Sequence, residues 1–265
     1  MKRNDIIMMI PYVICQVVPE DLYRRLEEHL DYVLPGSGLI TRVDKMRPLW
    51  VALTLMFLDK DTLSTSTLGG GKPLDLYLRE RAKVEGKQIH GVETLEYQCN
   101  LLNGMDDNMN LFILNETLNE KERLREGIAK ESSLQKIIDG YRQRNLDPKL
   151  LSAISFSTKN ASSAEAHKVQ EYFQTNIIVK RNKNMAARII ELLKEEPDAY
   201  FFAFGLAHFI GEDGIPEMIR SAGFQVEEIY EHVATSAASG TFSKLTYIVM
   251  FGLFVGLKSA FSLIQ

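Results

Sequence analysis

The sequence predicts an α/β fold, a mixed central sheet covered by helices, and three stretches carry that prediction. The first is Phe201-Phe-Ala-Phe204, an uncharged aromatic run with Pro197 and Asp198 before it and Gly205 after it, which reads as a buried strand. The second follows it: a helical pattern with Pro216 in its first turn, a stop at Gly223, and a strand-like return over residues 224–230. The third is the segment 88–94, a short strand that comes after a helical pattern and Gly86 and runs into a turn. Ligands in α/β folds gather at strand ends. His208 emerges three residues after Gly205, and Glu93 stands at the end of the 88–94 strand. By spacing alone, His208 is either a hydrogen-bonded histidine packed in the interior or a ligand. Glu93 on the same footing is a surface acid. His90, three residues before Glu93, points to the opposite face of a strand and is not counted as a ligand.

Composition narrows the function classes. The 265 residues are 45% hydrophobic and carry a net charge of −4 with acids and bases interspersed, so the basic footprint of nucleic-acid binding is absent. Two cysteines, Cys15 and Cys99, are too few for a disulfide scaffold and form no Cys-x-x-Cys motif.

Along the chain, residues 1–14 join a short basic start to an apolar run, which suggests a signal peptide or a core segment. Residues 19–33 predict an amphipathic helix with Leu22, Leu26, Leu30 and Val33 on one face and His29 off it in solvent. Arg47-Pro-Leu-Trp50 opens a second apolar helix with Trp50 as a core anchor. Residues 62–72 are a Ser/Thr/Gly loop lacking the Gly-Lys-Ser/Thr ending of a phosphate cradle. Residues 73–82 and 108–138 read as helices, the charged run 119–131 being a solvated face. Asn115-Glu-Thr117 and Asn160-Ala-Ser162 are N-glycosylation acceptor patterns. A polar loop covers 152–163, a helix 164–172, and a further helix has its core face at Met185, Ile189, Leu192 and Leu193. A small, polar linker at 235–244 leads to an apolar stretch at 245–264. Its length of about 20 residues suffices to cross a bilayer, and a buried helix or a removable lipid-anchor signal are the other readings.

Gly205-Leu-Ala-His208 with its continuation Phe-Ile-Gly-Glu-Asp-Gly214 resembles the second Gly-x-x-His motif of the TraB/GumN/TIKI family. Further resemblances follow in family order: Arg47-Pro-Leu-Trp50, the helix before Gly86 with the strand ending in Glu93, and Arg181-Asn182 followed by Met185-Ala186. The resemblance implies a membrane-anchored metalloprotease that removes amino-terminal residues of Wnt proteins, with a manganese or cobalt ion. It implies His208 as a metal ligand and Glu93 as a ligand or general base. Arg181 and Asn182 would position substrate or stabilise developing charge, while from the residues alone Arg181 reads equally as paired with a nearby acid at the surface. Residues 1–234 would form the peptidase domain and 245–264 a single type I span at the plasma membrane, leaving the domain outside the cell. Family members also carry a first Gly-x-x-His. Here the only one is at 205–208, so the chain reads as an N-terminally shortened form. Two alternatives follow: a truncated form that binds Wnt without cutting it, and a TraB-type protein at an organelle membrane.

Overall fold

The computed structural model describes residues 14–58, 74–143, 163–195, 199–227 and 247–250. They fall into two compact units, one holding the described residues of 1–72 and 95–174, the other those of 73–94 and 175–254.

The first unit is helical. Its helices are α1 (Ile14–Val17), α2 (Glu20–Val33), α3 (Ile40–Val43), α4 (Pro48–Phe57), α6 (Leu95–Asn103), α7 (Asp107–Arg125), α8 (Ser133–Arg142) and α9 (Ala164–Tyr172). α2, α4 and α9 all pack on α7. α7 starts where the Asp106 carboxylate accepts from the Met109 amide at 2.8 Å. It buries Met109, Ile113, Leu114 and Leu118. α2 presents Leu22, Leu26, Leu30 and Val33 to the core, as its spacing predicts. The predicted long helix over 108–138 breaks after Arg125, where Gly127 takes a φ of 71°. Gly104 is fixed by a close approach: the Tyr172 hydroxyl, which donates to the Leu101 carbonyl at 2.6 Å, leaves no space for a Cβ there.

Three expectations change in this unit. His29 is buried, at 3% exposure, and not in solvent. It follows Leu26 by three residues and Leu22 by seven, which is the flank of the same apolar stripe. The charged run does not simply face water either. Lys121 is buried and donates to the Met56 carbonyl at 3.3 Å. Glu122 takes a two-pronged pair from Arg25, at 2.7 and 2.8 Å. Trp50 is only partly buried. Cys99 is a buried free thiol.

The second unit comprises α5 (Leu74–Val84), α10 (Lys180–Glu195), β1 (Phe201–Phe204), a single tight turn (Leu206–His208), α11 (Ile215–Ser221) and β2 (Tyr247–Met250). Between α9 and α10 the chain passes through a π-helical segment, Phe173–Val179. α10 and α11 pack together with β1 around a core of Met185, Ile189, Leu192, Phe202, Phe204, Ile215 and Ile219. β1 alternates as a strand should, with Phe202 and Phe204 inward and Phe201 half exposed. The large side chains each contribute roughly 1.5–3 kcal/mol by leaving water.

The mixed central sheet is not found. Among the described residues the only sheet is the parallel pair β1–β2, in register from Phe201 opposite Tyr247 to Phe204 opposite Met250. Residues 88–94 are irregular and lie largely at the surface, with Ile89 exposed and no strand among the described residues paired with them. Residues 224–227 are irregular too. Tyr247–Met250 fall inside the stretch predicted as a membrane helix, yet they are extended and paired with β1. The rest of 245–264, the linker, the basic start, the Ser/Thr/Gly loop and Asn160 lie outside the described residues. No helix among the described residues is long and apolar enough to cross a membrane.

Candidate functional site

The second unit gathers Glu93, Arg181, Asn182 and His208 into one connected set. α10 supplies two neighbours from its first turn. Met185, Ala186 and Ile189 turn inward on the core and fix the helix by its apolar side. Arg181 and Asn182 are thereby held at the helix start.

Arg181 reaches Glu93 with a fork. Its Nε donates to Oε1 at 3.0 Å and its Nη2 to Oε2 at 2.7 Å. The Glu93 side chain is 4% exposed, so this pair is screened from water and each partner depends on the other. Val92 packs against the apolar core and anchors the irregular segment that carries Glu93. A strand is not needed to place the carboxylate.

Asn182 is wholly buried and uses both ends of its amide. Its Nδ2 donates to the Asp213 carbonyl at 2.7 Å, and its Oδ1 lies 2.5 Å from Nδ1 of His208. His208 closes the turn after β1, its own amide donating to the Gly205 carbonyl at 3.0 Å. The loop beyond it can fold back to offer Asp213 because of two glycines. Gly211 has a φ of 83°, and at Gly214 a Cβ would stand 2.9 Å from the Gly211 carbonyl oxygen. Burial first, and then the Arg181 charge, lower the His208 pKa from 6.5 to about 3, so the ring is neutral at physiological pH. No described residue takes its Nε2.

The other sequence candidates stand elsewhere. His90 is exposed, with Nε2 3.2 Å from the Gln88 side-chain oxygen. Asn115 lies within α7, where its Oδ1 accepts from Arg25 at 2.7 Å, and the Thr117 of its acceptor pattern is buried with its hydroxyl on the Ile113 carbonyl. Sequence reading singled out His208, Asn182, Arg181 and Glu93 but missed the pairing within them. Asn182 and His208 are separated by 26 residues, and no local spacing links them. The Asp213 carbonyl, a backbone group, has no sequence signal beyond the two flanking glycines.

A divalent metal in a peptidase asks for about three protein donors and an open position. Among the described residues no group of three or more His, Cys, Asp or Glu side chains stands together. His208 fits as one donor. Glu93 has both oxygens on Arg181, and the described residues do not complete such a set.

The model of the TraB/PrgY/gumN family matches residues 12–228, and the chain belongs to that family. Within it, the chain is 33% identical to the metalloprotease TIKI2 of Danio rerio over 80% of its length and 46% of the relative's. It is 34% identical to the TIKI2 of Xenopus tropicalis, with 80% and 46% covered, and 32% identical to the human metalloprotease TIKI1, with 80% and 47% covered. The chain thus spans about half the length of the curated relatives it matches. No solved structure matches it.

Proposed function

We propose that this protein is a TIKI-like, metal-dependent peptidase whose substrate is a Wnt protein, trimmed at its amino terminus outside the cell. The observation that supports this most is the Asn182–His208 pair. A neutral, buried imidazole is held by one nitrogen and leaves the other without a described partner, in a chain whose curated relatives are called metalloproteases. In this proposal His208 is a ligand of manganese or cobalt, and the metal supplies an activated water and a polarised carbonyl. Glu93 is a further ligand or the general base. Its carboxylate is paired with the Arg181 guanidinium, which would have to release an oxygen for either role. Membrane attachment through residues 245–264 and a plasma-membrane location with the domain outside belong to the same proposal.

Purified protein incubated with a Wnt and manganese should yield a Wnt with a new amino terminus, found by sequencing, and a chelator should stop it. The incomplete donor set among the described residues favours a second reading, a protein that binds Wnt without cutting it. Binding retained with no new amino terminus is the outcome that selects it.

A further inference from the structure

Which nitrogen of His208 carries its proton follows from the network around Asn182. A backbone carbonyl only accepts hydrogen bonds, so the Asn182 atom 2.7 Å from the Asp213 oxygen is the amide nitrogen. The atom facing His208 is therefore the amide oxygen, and it too only accepts. The partner at 2.5 Å, Nδ1, must then be the donor. We infer that Asn182 is a positioning residue that locks His208 as the Nδ1–H tautomer, so that the Nε2 lone pair is the one presented to an electrophile. The bond to Asp213 matters as much as the bond to the ring. Without it the amide is free to rotate and offer its NH₂ to Nδ1, which would place the proton on Nε2 and leave no lone pair to present. Asn182 is wholly buried and His208 nearly so, so water does not compete for either bond. The neutral state of the ring is consistent with a single proton to assign. The inference gains its functional meaning from the peptidase proposal, but the tautomer is measurable without it.

The test is long-range proton–nitrogen correlation NMR on the full chain with isotope-labelled histidine at neutral pH. Wild-type His208 should show a protonated Nδ1 and a bare Nε2. Asn182→Leu, which removes the acceptor, should lose the Nδ1–H form. Asn182→Asp, which keeps an oxygen towards Nδ1 but loses the donor to Asp213, should keep it. If Asn182 served only to tie α10 to the 209–214 loop, the Leu and Asp variants would behave alike, because both lose the Asp213 bond. A protonated Nε2 in the wild type, or an unchanged tautomer in Asn182→Leu, overturns the inference. Should the Leu variant not fold, the Asp variant decides it: a protonated Nδ1 kept there upholds the lock, and its loss overturns it. Cobalt(II) uptake by the wild type, read from its visible absorption, is a separate arm. The Nδ1–H form without cobalt uptake upholds the lock and sinks the metal reading.

Discussion

Among the described residues each unit buries one histidine and holds one arginine–glutamate fork, partly exposed in the first unit and better screened in the second, and the two sets are built differently. His29 and His208 are both 3% exposed, and burial lowers the pKa of both. Among the described residues neither ring nitrogen of His29 has a hydrogen-bond partner, whereas His208 is held at Nδ1 by an amide that is itself anchored. The forks differ as well. Arg25 spends its donors on Glu122, Asn115 and Asn119 within one helical scaffold. Arg181 spends its fork on Glu93, a carboxylate carried by an irregular segment. Burial and a shifted pKa therefore do not mark a site by themselves. What separates His208 from His29 is the anchored amide on its Nδ1.

Substitutions should separate the two regions. The largest effect is expected at His208: replacing it by Gln should lower Wnt cleavage by about 10²–10⁴-fold, the range for losing a positioned catalytic group, with thermal unfolding near that of the wild type. Next comes Arg181→Met, which takes the two-pronged guanidinium bond from a buried Glu93 carboxylate. A cost of about 3–5 kcal/mol is expected in urea unfolding. Adding Glu93→Gln should recover much of it, which no surface pair would do.

His29 gives the pH dependence. Its folded-state pKa is lowered from 6.5 to about 4 by burial and by Lys121 and Arg125, with Glu122 opposing. The unfolded chain therefore takes the proton first. Stability is full above pH 6.5 and falls as the pH drops towards about 4, by about 3 kcal/mol at roughly 1.4 kcal/mol per pKa unit. His208, lowered to about 3, loses stability over the same range, so His29→Leu should remove only its own share, about half, of the fall between pH 6.5 and 4. It should also raise stability at neutral pH by about 1–3 kcal/mol, since two unpartnered buried nitrogens are removed. A variant with the same acid sensitivity as the wild type would show that His29 is not the group responsible. If His208 is the metal ligand proposed above, Asn182→Leu should weaken manganese binding by about 10–100-fold, the usual effect of losing a ligand's supporting hydrogen bond. Arg24→Ala, on the exposed pair with Glu28, should cost only about 0.3–0.5 kcal/mol.

How much of this was legible in the sequence follows the same division. The apolar stripes of α2 and α10 and the aromatic run of β1 were readable because helix and strand periods stamp them directly. The strands expected at 88–94 and 224–230 were not secure, because an apolar run does not say whether a neighbouring strand exists to pair with it. His29 was misjudged by treating the stripe as narrower than it is. The four site residues were legible only through the order of their motifs. Their joining, through contacts 26 and 88 residues apart in sequence, was not.

The most direct measurement sets the two buried histidines side by side: wild type, His29→Leu and His208→Gln, each incubated with Wnt and manganese, and the Wnt amino terminus sequenced. Trimming by the wild type and His29→Leu but not by His208→Gln is the predicted result. Undiminished trimming by His208→Gln, or trimming abolished in a folded His29→Leu protein, would contradict it.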